Sequence, residues 1–167
     1  MLYVEAPAKL ENLARPFVFL AGGIVGCEEW QTEVSDALCR GYNKGTVLNP
    51  RRKNFPINDP MAAREQIGWE HGALWTSDVI SYWFAGGESV QPIVMFELGC
   101  HLGRYCIGGG PLRLVVGVDP KYVRKADVEI QLEMHSRTLN GQWVVGVTSH
   151  TLKGHVESIL NAVRSLG

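Results

Sequence analysis

The stretch FVFLAGG, residues 17 to 23, decides the fold, because it carries no charge and ends on two glycines. A short run that is apolar at every position, rather than at alternate ones, reads as a strand covered on both faces by helices. Further along the chain, Trp30, Val34, Ala37 and Leu38 recur at helical spacing. TVLN (46 to 49), stopped by Pro50, is a second strand, and RRKNFPIND is a loop rich in turn formers and basic groups. Residues 61 to 75 predict a helix with Ile67, His71 and Leu74 on one stripe, in spite of Gly68 and Gly72. DVISYWF (78 to 84) is the third strand, AGGESVQ a loop, and Pro92 suits the first turn of the next helix. After the breaker GGGP come a strand in LRLVVGV (112 to 118), a helix over 124 to 138, a strand in QWVVGVT (142 to 148) and a closing helix over 152 to 166.

Strands thus alternate with helices five times, without internal repeats. The expectation is a flavodoxin-like (Rossmann-like) α/β three-layer sandwich whose five-stranded parallel sheet has the order 2-1-3-4-5. Residues 1 to 15 read as a polar arm that lies across the surface or pairs with another chain, and residues 16 to 167 as one domain.

Composition narrows the function classes. The 167 residues are 46% hydrophobic and 20% charged, which suits one soluble domain with a substantial core. Sixteen basic and seventeen acidic side chains leave a net charge of −1, and no long run has one sign, which argues against nucleic acid or a membrane surface as partner. No 18-residue apolar run and no signal-like segment stands in the sequence, so a cytoplasmic address is expected. The four cysteines form no CxxC pair and read as reduced thiols, and the five histidines show no ligand spacing, so no metal or other cofactor is expected.

In such sheets a ligand binds outside the carboxyl ends of the strands. Following the strands, those ends carry Gly22, Gly23 and Ile24, then Asn49, Pro50, Arg51 and Arg52, then Trp83 and Phe84, then Asp119. The mixture suits a ligand with a flat ring, a polar sugar and a phosphate. Each residue also has a plain structural reading: the glycines serve a tight turn, the arginines are solvated loop charges, and the aromatics belong to the core. The absence of GxxxxGK[ST], GxGxxG and GxSxG disfavours a P-loop NTPase, a dinucleotide dehydrogenase and an α/β-hydrolase.

VMFELGCHLG (94 to 103) places Glu97 about one and a half turns into a helix whose N-terminal end faces the expected crevice, using ~3.6 residues per turn. There the helix dipole favours an ionised carboxylate. Two readings stand side by side: a nucleophile or base, or an i,i+4 partner of His101. Gly99 and Gly103 give room for close approach on the same helix.

FLAGGI (19 to 24), LNPRR (48 to 52), EQIGWEHGAL (65 to 74), SDVISYWF (77 to 84) and PIVMFELG (92 to 99) together resemble the nucleoside 2-deoxyribosyltransferase family, in particular the branch with FLAG, NPRR, WE and ELG blocks. The resemblance implies a flavodoxin-like fold and a glutamate nucleophile that falls on Glu97. This residue would attack the anomeric carbon of a deoxynucleoside or nucleotide, expel the base and pass the sugar to a second base. Glu70, in WE, falls on the family's second carboxylate, where the better-known enzymes carry aspartate. Phe19 and Trp69 belong to the same blocks and are expected at the substrate. For the family's sugar-hydroxyl ligand the loop before the nucleophile helix offers Glu88 and Ser89. Asp119, Arg124 and Asp127 are candidates for sugar contacts donated by a neighbouring subunit, which implies a homo-oligomer. Asp78, at the start of its strand, reads as a structural cap. The competing functions are N-glycoside hydrolysis of nucleoside monophosphates, which Arg51 and Arg52 would favour, and non-catalytic nucleotide sensing.

Overall fold

The computed structural model describes residues 1–108, 112–138 and 145–167. Its sheet is parallel throughout and has six strands: β1 (Leu2–Glu5), β2 (Phe17–Gly22), β3 (Thr46–Asn49), β4 (Val79–Phe84), β5 (Arg113–Val118) and β6 (Val147–Ser149), in the order β1-β3-β2-β4-β5-β6. Without β1 this is the expected 2-1-3-4-5 arrangement. The arm expected over residues 1 to 15 therefore departs from the structure at its start: Leu2–Glu5 extends the sheet, in register with Thr46–Asn49. Of the last expected strand, residues 142 to 144 with Trp143 lie outside the described residues, and β6 is confined to Val147–Ser149.

Five helices cover the two faces: α1 (Trp30–Gly41), α2 (Ala62–Thr76), α3 (Pro92–Gly108), α4 (Lys125–Thr138) and α5 (Leu152–Arg164). Successive side chains on a strand point to opposite faces, so β2 and β4 feed two cores at once. Val18, Leu20, Val79 and Trp83 pack with Trp30 and Leu38 of α1 and Ile159 of α5. Phe17, Phe19, Ala21, Ile80, Tyr82 and Phe84 pack with Leu74 of α2, Val94 and Leu98 of α3 and Leu132 of α4. β4 is buried at all six positions, which accounts for the unbroken apolar run in its sequence.

Of the stripe that the apolar spacing of α2 predicts, Leu74 is buried, but the rest of the inward face differs. Ile67 is 65% exposed and His71 is exposed, whereas Ala62 and Ala73 are buried and Gln66, Trp69 and Glu70 are half-buried. Gly68 and Gly72 lie on the open side, where an added Cβ would meet nothing within 4 Å. The inward face mixes apolar residues, Ala73, Leu74 and Trp69, with Gln66 and Glu70, and Glu70 lines the cavity at the carboxyl edge of the sheet.

Asp78 secures the opposite edge. Its Oδ2 accepts from Phe17 N at 2.7 Å and its Oδ1 from the Arg15 guanidinium at 2.7 Å, as a structural cap should. Among the described residues no helix is long and apolar enough to cross a membrane, and all four cysteines are free thiols.

Candidate active site

A cavity of about 220 Å³ opens at the carboxyl ends of β2 and β3, between α2 and α3. The wall begins with Phe19, Ala21, Gly22 and Gly23 of β2 and its end, continues through Ile24 and Val25, and takes in Pro50 after β3. The N-terminal turns of α3 contribute Pro92, Ile93, Val94 and Glu97, and α2 contributes Glu70. Gln91 and Ser89 complete it.

Two carboxylates thus look into a mainly apolar hollow from facing helices. Burial pushes Glu97 up from 4.5 to about 7, and the nearby charge of Glu70 adds to the effect. Burial also raises Glu70, whereas the Gln66 amide, donating to Glu70 Oε1 at 2.8 Å, works in the opposite sense. The same Gln66 nitrogen donates to the Pro50 carbonyl at 2.6 Å, so α2, the loop after β3 and the Glu70 carboxylate are tied at one point. A like charge nearby favours the protonated form, which is the sense in which Glu70 acts on Glu97.

The turn after β2 shows why glycine is needed there. A Cβ at Gly22 would collide with the Trp83 carbonyl and the Trp30 ring, and one at Gly23 would collide with Cys27 and Gln91. Both glycines line the cavity and both are demanded by packing, so the two readings of the sequence coincide. Gly23 also offers its carbonyl to Trp30 Nε1 at 3.1 Å and Gln31 Nε2 at 3.2 Å.

Of the residues expected at a ligand, Phe19, Gly22, Gly23, Glu70, Ser89 and Glu97 meet in this cavity. The others lie elsewhere, each for a physical reason. Arg51 spends its guanidinium on the carbonyls of Ile24, Cys27 and Glu28 and on Gln31 Oε1, at 3.0 to 3.3 Å, and so fastens the loop that forms the cavity wall. Arg52 pairs with Glu65 at 3.1 Å and lies over the Phe55 ring. Asn49 is buried and bonds Tyr3 and the Arg51 backbone; with both arginines it lines a separate polar recess. Trp69 sends its Nε1 to the Ala8 carbonyl at 2.7 Å, with its ring centroid 6.2 Å from that of Phe19.

Trp83 points to the opposite face of the sheet, against His155, and Phe84 is sealed in the core against Tyr122. Glu88 is exposed on its loop. Asp119 accepts from Lys121 N at 2.7 Å in another recess, and Arg124 pairs with Asp127 in the open. His101 is buried against Trp75 rather than paired with Glu97; burial, with the Arg104 guanidinium nearby, lowers it to about 4, so it stays neutral.

Sequence reasoning missed Gln66 and Gln91. Gln91 is buried at 4% exposure, takes a positive φ of 47°, and donates its amide to Ala85 O at 2.7 Å, which sets the entry angle of α3. The only sequence signal was a polar residue directly before the helix-starting Pro92. Among the described residues no cluster of His, Cys, Asp and Glu could hold a metal ion.

No curated protein matches the chain. A family model described as nucleoside 2-deoxyribosyltransferase like matches residues 15–107, more than half of the 167 residues and the whole run from β2 through most of α3 that builds the two-carboxylate cavity. The chain belongs to the nucleoside 2-deoxyribosyltransferase-like family.

Proposed function

We propose that this protein moves 2-deoxyribose from one nucleobase to another through a covalent intermediate on Glu97. The observation that carries the reading is the meeting of Glu70 and Glu97 in one apolar cavity at the carboxyl edge of the sheet. The reaction needs one proton, and Glu70, whose proton affinity burial raises, is its donor in this reading. Glu70 gives it to the leaving base as the C1′–N bond breaks with its electrons going to the base. The Glu97 carboxylate forms the C1′–Oε bond on the opposite side. In the second half an incoming base attacks C1′, loses its proton to Glu70 and frees Glu97. Burial serves Glu70, because a raised proton affinity is what a general acid needs near pH 7.

The lining also bears on the substrate. Phe19, Ile24, Val25 and Pro50 suit a flat base, and no lysine or arginine among the described residues lines the cavity. A 5′-phosphate would face two carboxylates there without a cation. We therefore favour uncharged deoxynucleosides over the monophosphates that the two arginines suggest in the sequence.

A homo-oligomer is part of the proposal. Ile93 and Phe96 are 64% and 69% exposed beside the cavity, an apolar border that a second copy would cover. Asp119, Arg124 and Asp127 are then available to a neighbour. Incubation of a 2′-deoxynucleoside with a second free base tests the reading. Exchanged nucleoside is expected; free deoxyribose would make water the acceptor, and no cleavage across all common bases would refute it.

A further inference from the structure

We propose that the buried hydroxyl of Tyr82 is the hydrogen-bond donor that steadies the ionised Glu97 carboxylate, a positioning role that rests on the reading of Glu97 as nucleophile. Among the described residues Tyr82 is the largest fully buried side chain. Alternation along β4 turns it to the same face as Ile80 and Phe84, under α2 and α3, and its register partner on β2 is Ala21, which lines the cavity. Its hydroxyl finds no hydrogen-bond partner in the resting protein. A buried hydroxyl without a partner is costly and calls for an explanation.

The groups around it supply one. Tyr82 feels the charges of Glu97, Cys100 and Arg104, which follow one another along one side of α3. Burial holds its phenol well above the ordinary value, so the group remains an O–H donor and never competes as an anion. Glu97 is in the complementary position: burial and Glu70 raise it, and no hydrogen bond offsets them. The titratable groups facing this point are Glu70 from α2, Tyr82 from β4, and Cys100 and Arg104 from α3. Only Tyr82 combines full burial with a free donor.

A buried donor without a partner thus lies on the element facing a half-buried carboxylate whose charge no hydrogen bond offsets. When Glu97 ionises, rotation of the two side chains closes the bond, and a donor to a carboxylate favours its charged form. The contact also bears on the two half-reactions. Formation of the C1′–Oε bond removes the charge from Glu97 and weakens the hydrogen bond; release of the sugar restores both. Tyr82 therefore assists the departure of Glu97 as a leaving group.

Carbon-13 titration of the glutamate carboxyls, with Glu97 assigned through Glu97→Gln, tests the contact without any substrate. In Tyr82→Phe the Glu97 midpoint is expected to rise by about one pH unit, the acid limb of kcat/KM for base exchange to move with it, and the melting temperature to hold or rise. An unmoved midpoint overturns the proposal, as does a lower melting temperature with an unmoved acid limb. Should the phenylalanine variant not fold, 3-fluorotyrosine at position 82, a stronger donor, must lower the midpoint; no change there is equally decisive. Full base exchange by Glu97→Gln would instead remove the nucleophile reading and leave the titration to judge the contact itself.

Discussion

Two hollows lie side by side at the carboxyl edge of the sheet and treat charge in opposite ways. One, lined by Asn49, Arg51, Arg52, Lys53 and Glu5, is rich in charge, yet much of that charge is already committed to neighbouring groups. The other is mainly apolar and holds Glu70 and Glu97 with both proton affinities displaced upward. Charge that is paired holds backbone in place, whereas a carboxylate buried without a cation has its proton affinity raised. The first hollow serves the second, because Arg51 fastens the loop that supplies Ile24 and Val25 to the cavity wall.

The contrast breaks most visibly at Glu97. Glu97→Gln is expected to lower base exchange by at least ~10³-fold, as loss of a nucleophile does, with circular dichroism unchanged; retained turnover would move the chemistry elsewhere. Glu70→Gln should cost about 10²-fold or more in kcat. Its signature is sensitivity to the leaving base, with activated bases cleaved nearly as fast as by the native protein.

The same burial makes a stability prediction with a fixed sign. Glu97 titrates near 7 in the folded protein against 4.5 ordinarily. Below the ordinary value both states are protonated and the residue costs nothing. As pH rises toward 7 the unfolded chain ionises first, so folding stability is lost across that window. Glu97→Gln should therefore stabilise the protein by about 2–3 kcal/mol above pH 7 and by nothing below pH ~4.5, read from urea midpoints at the two ends.

In the charged hollow the effects are smaller and fall on stability. Arg51→Ala leaves several carbonyls unpaired and should cost about 1–2 kcal/mol, with KM rising more than kcat falls. Arg52→Ala, whose partner Glu65 is 54% exposed, should cost under about 1 kcal/mol. An Arg52→Ala variant that lost activity as severely as Glu70→Gln would erase the distinction between the two hollows.

Much of this was legible in the sequence because unbroken apolar runs such as FVFLAG and VISYWF admit few structures. The carboxylate in the helix after the third of those runs was legible too, since its place at the ligand edge follows from the topology. Two features were hidden. The strand at Leu2–Glu5 is four residues long, exposed at Leu2 and Tyr3, and paired to residues more than forty positions away, so nothing local distinguishes it from an arm. The inward face of α2 was misread because apolar spacing finds a core, and this face, with Gln66 and Glu70, borders a site. The i,i+4 pairing of an amide with a carboxylate was the available signal, and hydrophobic periodicity ignores it. For the arginines after β3 the sequence shows the loop, but only the fold reveals that carbonyls already occupy Arg51.

The edge strand has a further consequence. Ala6 N–H bonds the Asn49 carbonyl, Glu5 accepts from Lys53 N, the adjoining Pro50 carbonyl accepts from Gln66, and Gln66 holds Glu70. A mechanical linkage therefore runs from the rim of the molecule to the Glu70 carboxylate. Anything that peels β1 away, such as a bulky fusion or an antibody gripping the rim, would shift the Glu70 carboxylate without touching the cavity.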